Sequence, residues 1–320
     1  MDNLTHTLVG LALADSGLKR RSRFATATLV LGANLPDVDG LIYLMGRGSD
    51  ALTFRRGWTH GVLAMVLLPL LLTALVLAWD RIVGRRRTAP PGAPVHPGWL
   101  VALAALGIWS HPLLDLLNVY GVRLLMPFSR RWFYGDTLFI IDPWVWAALA
   151  IGILVTRHRA ARAGERDADP RRLTRAAIGA AIAYVLVMAA LSRIGRGVVE
   201  RQVPGPAALR TLVAPTFATP LTWDVIRDLG GRYELGRLSW ELRPAYRPLG
   251  IVSAGRDEAG VRAASTTRAG AAFLEWARYP RFEAERGADG IRVTLSDVRY
   301  AGLTGRGWAS LTVVVPAGAK

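Results

Sequence analysis

The sequence predicts an α-helical multi-pass membrane bundle of about six helices, followed by a small soluble α+β domain. Residues 1–192 contain long apolar runs separated by short polar breaks, whereas residues 193–320 have the mixed composition of a soluble domain. The clearest run, Val62 to Trp79, contains no charged residue and has about the length needed to cross a bilayer core. We therefore expect a membrane domain over 1–192, a linker over 193–221 and the small domain over 222–320.

Six apolar segments are candidates for crossing the membrane. The alternative is a soluble bundle of core helices, but Val62–Trp79 is too long and too apolar to fit it well. The first two segments are short for full spans and could be tilted or only partly inserted. In chain order the six are Leu4–Leu18, Phe24–Leu35, Val62–Trp79, Trp99–Leu117, Ile140–Thr156 and Ala176–Ser192.

The net charge of +16 does not indicate a nucleic-acid partner. Only Lys19 and Lys320 are lysines, and an excess of arginine beside abundant Ala, Gly, Val and Pro is typical of a GC-rich genome. The basic residues also concentrate in particular breaks between apolar segments, which a membrane explains better. Because the chain has no cysteine, disulfides and thiolate metal ligands are excluded.

Arginine placement predicts the orientation in the membrane. The breaks at 19–23, 81–87 and 157–175 are rich in positive charge, and the last holds seven arginines. The breaks at 36–59 and 118–139 hold three basic residues each, partly offset by aspartates. The positive-inside rule places the first three breaks in the cytoplasm. We therefore expect the C-terminal domain on the extracytoplasmic side of the membrane.

This topology brings eight histidine and aspartate residues to the outer ends of the helices. Such residues build catalytic divalent-metal sites, and charged groups beside membrane helices are costly enough to indicate a function. A metal site at one face of the membrane is the resulting hypothesis. The eight are His6, Asp37, Asp39, His60, His111, Asp115, Asp136 and Asp142.

Local patterns support some of these residues more than others. His111 and Asp115 are four apart, so a helix places both on one face as two ligands or as a ligand and a base; a plain polar pair is the alternative. Asp37 and Asp39 lie in a turn and can converge on one cation, or cap a helix over Gly40–Met45. His60 begins the strongest apolar segment.

The remaining candidates depend on this central set. His6 lies one turn after Asp2, a weak pattern by itself. Arg55 and Arg56, just before His60, can hold an anionic group such as phosphate, or anchor the chain at the membrane interface. Two further aspartates follow an aromatic loop at 126–134, which is either an interfacial belt or a lid over substrate. The predicted substrate-binding set is Arg55, Arg56, Asp136 and Asp142.

The order of these motifs over residues 1–160 resembles the YdjM-like family of inner-membrane metal-dependent hydrolases, also described as LexA-binding. The resemblance implies a multi-pass membrane protein with a hydrolase-type metal centre, and it names no substrate. The predicted outward-facing site does not favour an association with LexA. The matching positions are His6, Asn34 to Asp39, Arg56 to His60, His111 to Asp115, and Gly135-Asp136 to Asp142-Pro143.

Together these patterns predict a metal-dependent hydrolase at the outer membrane–water interface. A divalent ion, zinc first with manganese or magnesium as alternatives, would activate water against an ester or phosphoester, with a lipid-linked substrate suiting the location. Asp39 and Asp115 are the predicted catalytic carboxylates. The alternative is a non-enzymatic membrane protein with a structural metal or a scaffold role. The predicted metal ligands are His6, Asp37, Asp39, His60, His111 and Asp115.

The C-terminal region predicts a small α+β domain. Proline-rich sequence at 203–220 indicates a linker. A helix is expected over Glu258–Arg278. Alternating patterns predict strands over Thr222–Arg227, Arg232–Glu241, Arg281–Arg286, Ile291–Tyr300 and Ser310–Val315.

The predicted topology can be tested with reporters fused after Lys320. Because the basic breaks are expected in the cytoplasm, an alkaline phosphatase fusion should be active and a green fluorescent protein fusion should be dark. An inactive phosphatase beside a fluorescent fusion would show the opposite orientation.

Overall fold

A computed structural model of the chain describes residues 1–43, 51–84, 94–162, 169, 171–203, 207–305 and 307–316. The end of the predicted Gly40–Met45 helix, arginines 85–87 and part of the 157–175 break lie outside the described residues. The chain divides into two compact units. The first comprises Met1–Leu41 and Phe54–Ala189, and the second comprises Ile42–Thr53 and Ala190–Lys320.

Every one of the six predicted apolar segments overlaps a helix. A 3-10 segment, Leu35–Tyr43, continues directly from the second helix. The helices are α1 (Asn3–Asp15), α2 (Ala25–Asn34), α3 (Ala51–Phe54), α4 (Val62–Gly84), α5 (Pro97–Leu116), α6 (Pro143–Arg162) and α7 (Arg171–Gln202).

Six membrane crossings are not confirmed. Among the described residues, three stretches are long and apolar enough to cross a membrane: Val62–Ile82, Pro97–Leu116 and Arg171–Gln202. Helices α1 and α2 have 13 and 10 residues, which at about 1.5 Å per residue fall short of a core about 30 Å thick. The apolar run of helix α6 ends at Thr156, because arginines follow it within the same helix.

Glycines allow α1, α2 and α5 to pack closely. A Cβ on Gly107 of α5 would lie 2.7 Å from the Leu29 carbonyl oxygen of α2, and one on Gly10 of α1 would lie 3.0 Å from the same oxygen. A Cβ on Gly32 would lie 3.2 Å from the Ala104 carbonyl oxygen. Small residues at such crossings let helix backbones approach. The start of α1, the end of α2 and the last turns of α5 are thereby brought together.

Basic residues gather at the opposite end of α1. Asp15 accepts hydrogen bonds from Lys19 Nζ at 2.8 Å and from Arg157 Nε at 2.6 Å. Arg175 Nε donates to the Ser16 carbonyl oxygen at 2.9 Å. The positive-inside pattern requires such grouping, but the side of the membrane that this end faces stays a prediction.

The second unit contains two antiparallel sheets. The four-stranded sheet has the order β1-β2-β3-β4 and the three-stranded sheet has the order β5-β6-β7. Short helices connect β4 to β5 and β6 to β7: α8 (Val261–Thr266), α9 (Arg268–Trp276) and α10 (Val298–Ala301). The strands are β1 (Arg210–Thr216), β2 (Thr219–Asp228), β3 (Arg232–Trp240), β4 (Pro244–Ser253), β5 (Pro280–Gly287), β6 (Gly290–Asp297) and β7 (Ser310–Val315).

Three predictions for this region need correction. The stretch 193–221 is not simply a linker, because α7 continues to Gln202 and β1 lies within it. Proline is tolerated in β1 and β4 because both are edge strands. The single helix expected over Glu258–Arg278 is two helices, separated at Thr267, whose side chain caps α9 by accepting from Gly270 N. The strand expected to reach Tyr300 ends at Asp297, which caps α10.

Candidate metal centre

Five side chains from four segments of the first unit converge at one end of the helices. His6 lies on α1, Asp37 on the 3-10 segment after α2, and His60 in the turn before α4, while His111 and Asp115 lie on α5. Two groups of three could hold a metal ion, His6 with Asp37 and His111, and His60 with His111 and Asp115. Within each group the donor atoms lie within 4.8 Å of one another.

The donor atoms of these five residues face each other at short range. Asp115 Oδ2 lies 3.2 Å from His60 Nε2 and 3.5 Å from His111 Nε2. His6 Nε2 lies 3.6 Å from Asp115 Oδ1, and Asp37 Oδ1 lies 3.7 Å from His111 Nε2. The three imidazoles and the Asp115 side chain are fully buried, whereas the Asp37 side chain is 11% exposed.

Each of the five residues contributes one buried atom without a hydrogen-bond partner to the facing set, and the second ring nitrogen of His6, Nδ1, also has no such partner. Leaving such an atom unsatisfied costs about 1–3 kcal/mol, and more when it is charged. Five of them at one point therefore favour a cation that accepts their lone pairs, and three imidazoles with two carboxylates are a suitable donor set for a divalent ion. The atoms are His6 Nε2, Asp37 Oδ1, His60 Nε2, His111 Nε2 and Asp115 Oδ2.

The tautomer of His111 is fixed by the backbone. Its Nδ1 lies 2.7 Å from the carbonyl oxygen of Ala33, which can only accept, so Nδ1 carries the proton and Nε2 has the lone pair. The ring also stacks on His6, with centroids 3.7 Å apart and planes 14° apart. Because His111 has one nitrogen to offer, the two donor groups describe a single centre around it.

His60 is held in the neutral form that binds metals. Burial lowers the pKa of its imidazole below the usual value, although the carboxylates of Asp115 and Asp39 raise it. Its Nδ1 lies 2.9 Å from Thr59 Oγ1, which directs Nε2 towards Asp115. A neutral imidazole can bind a cation without first releasing a proton.

Asp39 belongs to neither donor group, because its oxygens are engaged elsewhere. Oδ2 accepts from the Arg56 backbone N–H at 2.7 Å and from Thr59 Oγ1 at 3.0 Å, and Oδ1 accepts from Arg55 Nη1 at 2.7 Å. His60 Nδ1 lies 3.5 Å from Oδ2. These contacts fix the turn that carries His60. A direct metal-binding or catalytic role for Asp39 stays a prediction.

Arg56 is buried and contacts Asp115 of the cluster. Its Nη2 lies 3.1 Å from Asp115 Oδ1, and Nη1 donates to the Gly121 carbonyl oxygen and to Asn118 Oδ1 at 3.2 and 3.3 Å. The guanidinium also lies over the Tyr120 ring, 4.6 Å from its centroid. Arg56 therefore fixes the Asp115 carboxylate and the chain after α5. Its predicted contact with substrate is untested.

Asp136 and Asp142 lie outside both donor groups. Asp142 caps α6 by accepting from the backbone N–H groups of Trp144 and Val145 at 3.0 and 3.1 Å, and Tyr184 Oη donates to it at 3.1 Å. Asp136 is buried. Substrate binding by either residue stays a prediction.

Some supporting groups were missed by sequence reasoning. Thr59, which bonds both Asp39 and His60, had a signal, because it stands within the Arg-Gly-x-Thr-His motif. The only sequence signal for Asn118 was its position three residues after Asp115. The Ala33 carbonyl had none, because a backbone acceptor does not depend on residue type.

Comparisons with known proteins agree with these motifs. The model of a family described as YdjM inner membrane protein matches residues 1–197, a range that includes all five donor residues. The uncharacterized protein YfhP of Bacillus subtilis (strain 168) is 27% identical over 165 residues, covering 47% of this chain and 46% of that protein. The chain thus spans less than half the length of this curated relative. No solved structure matches the chain.

Replacing Arg56 with alanine should destabilise the first unit strongly. Removing one partner of a buried ion pair leaves the Asp115 carboxylate poorly compensated, and we expect the free energy of unfolding to fall by about 3–5 kcal/mol. Denaturant unfolding of the detergent-purified protein measures the change. Arg159→Ala, at an exposed arginine of α6, is the matched control and should have little effect. Equal stability of the two variants would show that Arg56 does not support the site.

Proposed function

The chain belongs to the YdjM inner membrane protein family, and from its buried donor cluster we propose that it is a metal-dependent hydrolase acting at the membrane. The observation that carries the proposal is the convergence of five buried, unsatisfied donor atoms from four separate segments. Structural salt bridges and caps satisfy their polar atoms internally, whereas these atoms remain available to a ligand.

We assign metal binding to His6, His60 and His111 through Nε2 and to Asp115 through Oδ2. Three imidazoles favour zinc over magnesium, which prefers oxygen ligands, and manganese remains the second choice. When bound, such an ion lowers the pKa of a coordinated water and polarises the bond to be cleaved. Asp39 is a positioning residue in this proposal, since it acts on His60 through the turn at Thr59.

Asp37 is the carboxylate best placed to move a proton. It is the donor residue with exposed surface, and its Oδ1 has no hydrogen-bond partner. In hydrolysis the oxygen of water bonds to the acyl carbon or phosphorus, the ester C–O or P–O bond breaks, and Asp37 Oδ1 takes the water proton and passes it to the leaving oxygen. Arg55, with Nη2 3.6 Å from Asp37 Oδ1, would hold an anionic part of the substrate.

The site is proposed to face the extracytoplasmic side of a multi-pass inner-membrane protein. Support comes from the grouping of Lys19, Arg157 and Arg175 at the far end of α1 from His6, since that end is the one the positive-inside rule assigns to the cytoplasm.

Elemental analysis of the detergent-purified protein tests the metal assignment. The wild type should retain stoichiometric metal, and the double variant His60→Ala/His111→Ala should lose it, because His111 belongs to both donor groups and His60 to one of them. His158→Ala is the matched control, since His158 is exposed on α6, and it should keep the metal. Full retention in the double variant would overturn the assignment.

Asp37→Asn separates catalysis from a structural metal. An amide cannot act as the base, so we expect hydrolysis of ester or phosphoester substrates to fall by about 100-fold or more while metal content is kept. A metal-loaded wild type that hydrolyses neither class would favour a structural role for the ion.

A further inference from the structure

An apolar groove of about 620 Å³ lies along the surface formed by α2 and α4. One wall consists of side chains spaced three or four residues apart along α2 and the 3-10 segment. The other wall consists of side chains on a single face of α4. Many of its side chains are large, apolar and exposed. The lining residues are Asn3, Phe24, Ala27, Leu31, Asn34, Leu35, Asp37, Val38, Leu72, Leu75, Val76 and Trp79.

The length of the groove is close to that of one hydrocarbon chain in a bilayer. Eleven residues separate Phe24 from Leu35, which corresponds to about 16 Å along a helix, close to half of a hydrocarbon core about 30 Å thick. Leu31, Leu75 and Trp79 are 53%, 56% and 60% exposed. Because α4 includes a candidate membrane span, these exposed side chains are in a position to contact hydrocarbon.

Among the described residues that line the groove, the polar ones lie at one end, and the ion pair of Arg23 with Asp80, 3.0 Å apart, lies next to Phe24 and Trp79 at the other end. The polar residues are Asn3, Asn34 and Asp37, and Asp37 is the single charged residue among those that line the groove. Asp37 also belongs to the donor group with His6 and His111. The apolar channel and the candidate metal centre therefore share a residue, so a molecule lying in the groove would place its polar end at the donor cluster.

We propose that the groove holds one hydrocarbon chain of a membrane lipid, whose polar headgroup lies at Asp37. The substrate class of the centre is then an amphipathic lipid that enters sideways from the bilayer. A lipid chain fits better than a protein segment, because the groove is about as long as one hydrocarbon chain of a bilayer and its described lining is apolar except at the end that holds Asp37. The assignment of this lipid as the substrate rests on the proposed function, whereas lipid binding in the groove does not.

Photocrosslinking in vesicles tests the occupant. The full-length protein is placed in phosphatidylethanolamine–phosphatidylglycerol vesicles that carry a trace of phosphatidylglycerol with a diazirine at the end of one acyl chain. Mass spectrometry should locate the adducts at the apolar end of the groove, around Phe24 and Trp79. Adducts spread evenly around the exposed faces of α4 and α5 would show ordinary boundary lipid and overturn the proposal.

Filling the groove should displace the lipid. Ala27 is exposed in the groove, and Ala27→Trp should lower the adduct yield at Phe24 and Trp79 about tenfold or more, because several methylene groups lose their contacts. Ala74→Trp is the matched control: Ala74 is exposed and does not line the groove, and it lies about 160° around α4 from Leu72 and about 100° from Leu75. Leu75→Trp, from the opposite wall, should repeat the effect of Ala27→Trp.

The outcomes separate this proposal from the hydrolase proposal. Metal content should be equal in the wild type and all three tryptophan variants, which also shows that they are folded. Specific adducts in a protein that holds no metal would leave lipid binding standing and remove the hydrolase. Equal adduct yields in Ala27→Trp and Ala74→Trp would overturn lipid binding, as would a protein–protein contact that Ala27→Trp alone disrupts.

Discussion

The buried carboxylate of Asp115 is the charge on which the site end of the helical unit depends. Removing a carboxylate from water costs several kcal/mol unless positive charge and hydrogen bonds replace its hydration. Arg56 and the α-amino group of Met1 contact Oδ1, whereas Oδ2 faces two imidazoles without a hydrogen bond. A divalent cation at Oδ2 would complete the compensation. The Asp115 carboxylate therefore links the stability of the fold, through Oδ1, to the proposed chemistry, through Oδ2.

Contacts between the protein's own groups hold the arrangement around Asp115. Glycines at the crossings of α1, α2 and α5 bring three helix ends to one point, and each imidazole of the second donor group is then oriented by a neighbour. The Ala33 carbonyl holds His111, and Thr59 holds His60. Such orientation raises affinity, since little side-chain freedom is lost on binding. The apolar groove that ends at Asp37 then gives the centre a route towards hydrocarbon.

Much of this organisation could be predicted from the sequence, for physical reasons that differ between residues. The spacing of His111 and Asp115 places both on one face of any helix, and apolar length alone indicates helices at all six segments. His6 was a weak candidate, because only the packing of α1 against α5 brings it to His111. The partners of Asp39 were hidden, since a carboxylate in a turn can equally bind a cation or accept hydrogen bonds from Arg55 and Thr59.

X-ray absorption at the edge of the bound metal tests the central claim most directly. The donor set predicts a first shell of nitrogen and oxygen, with three imidazoles at about 2.0–2.1 Å if the ion is zinc. His6→Ala should remove one imidazole from that shell and leave the other two. A shell of water oxygens without imidazole scattering, or a wild-type spectrum unchanged in His6→Ala, would contradict the account.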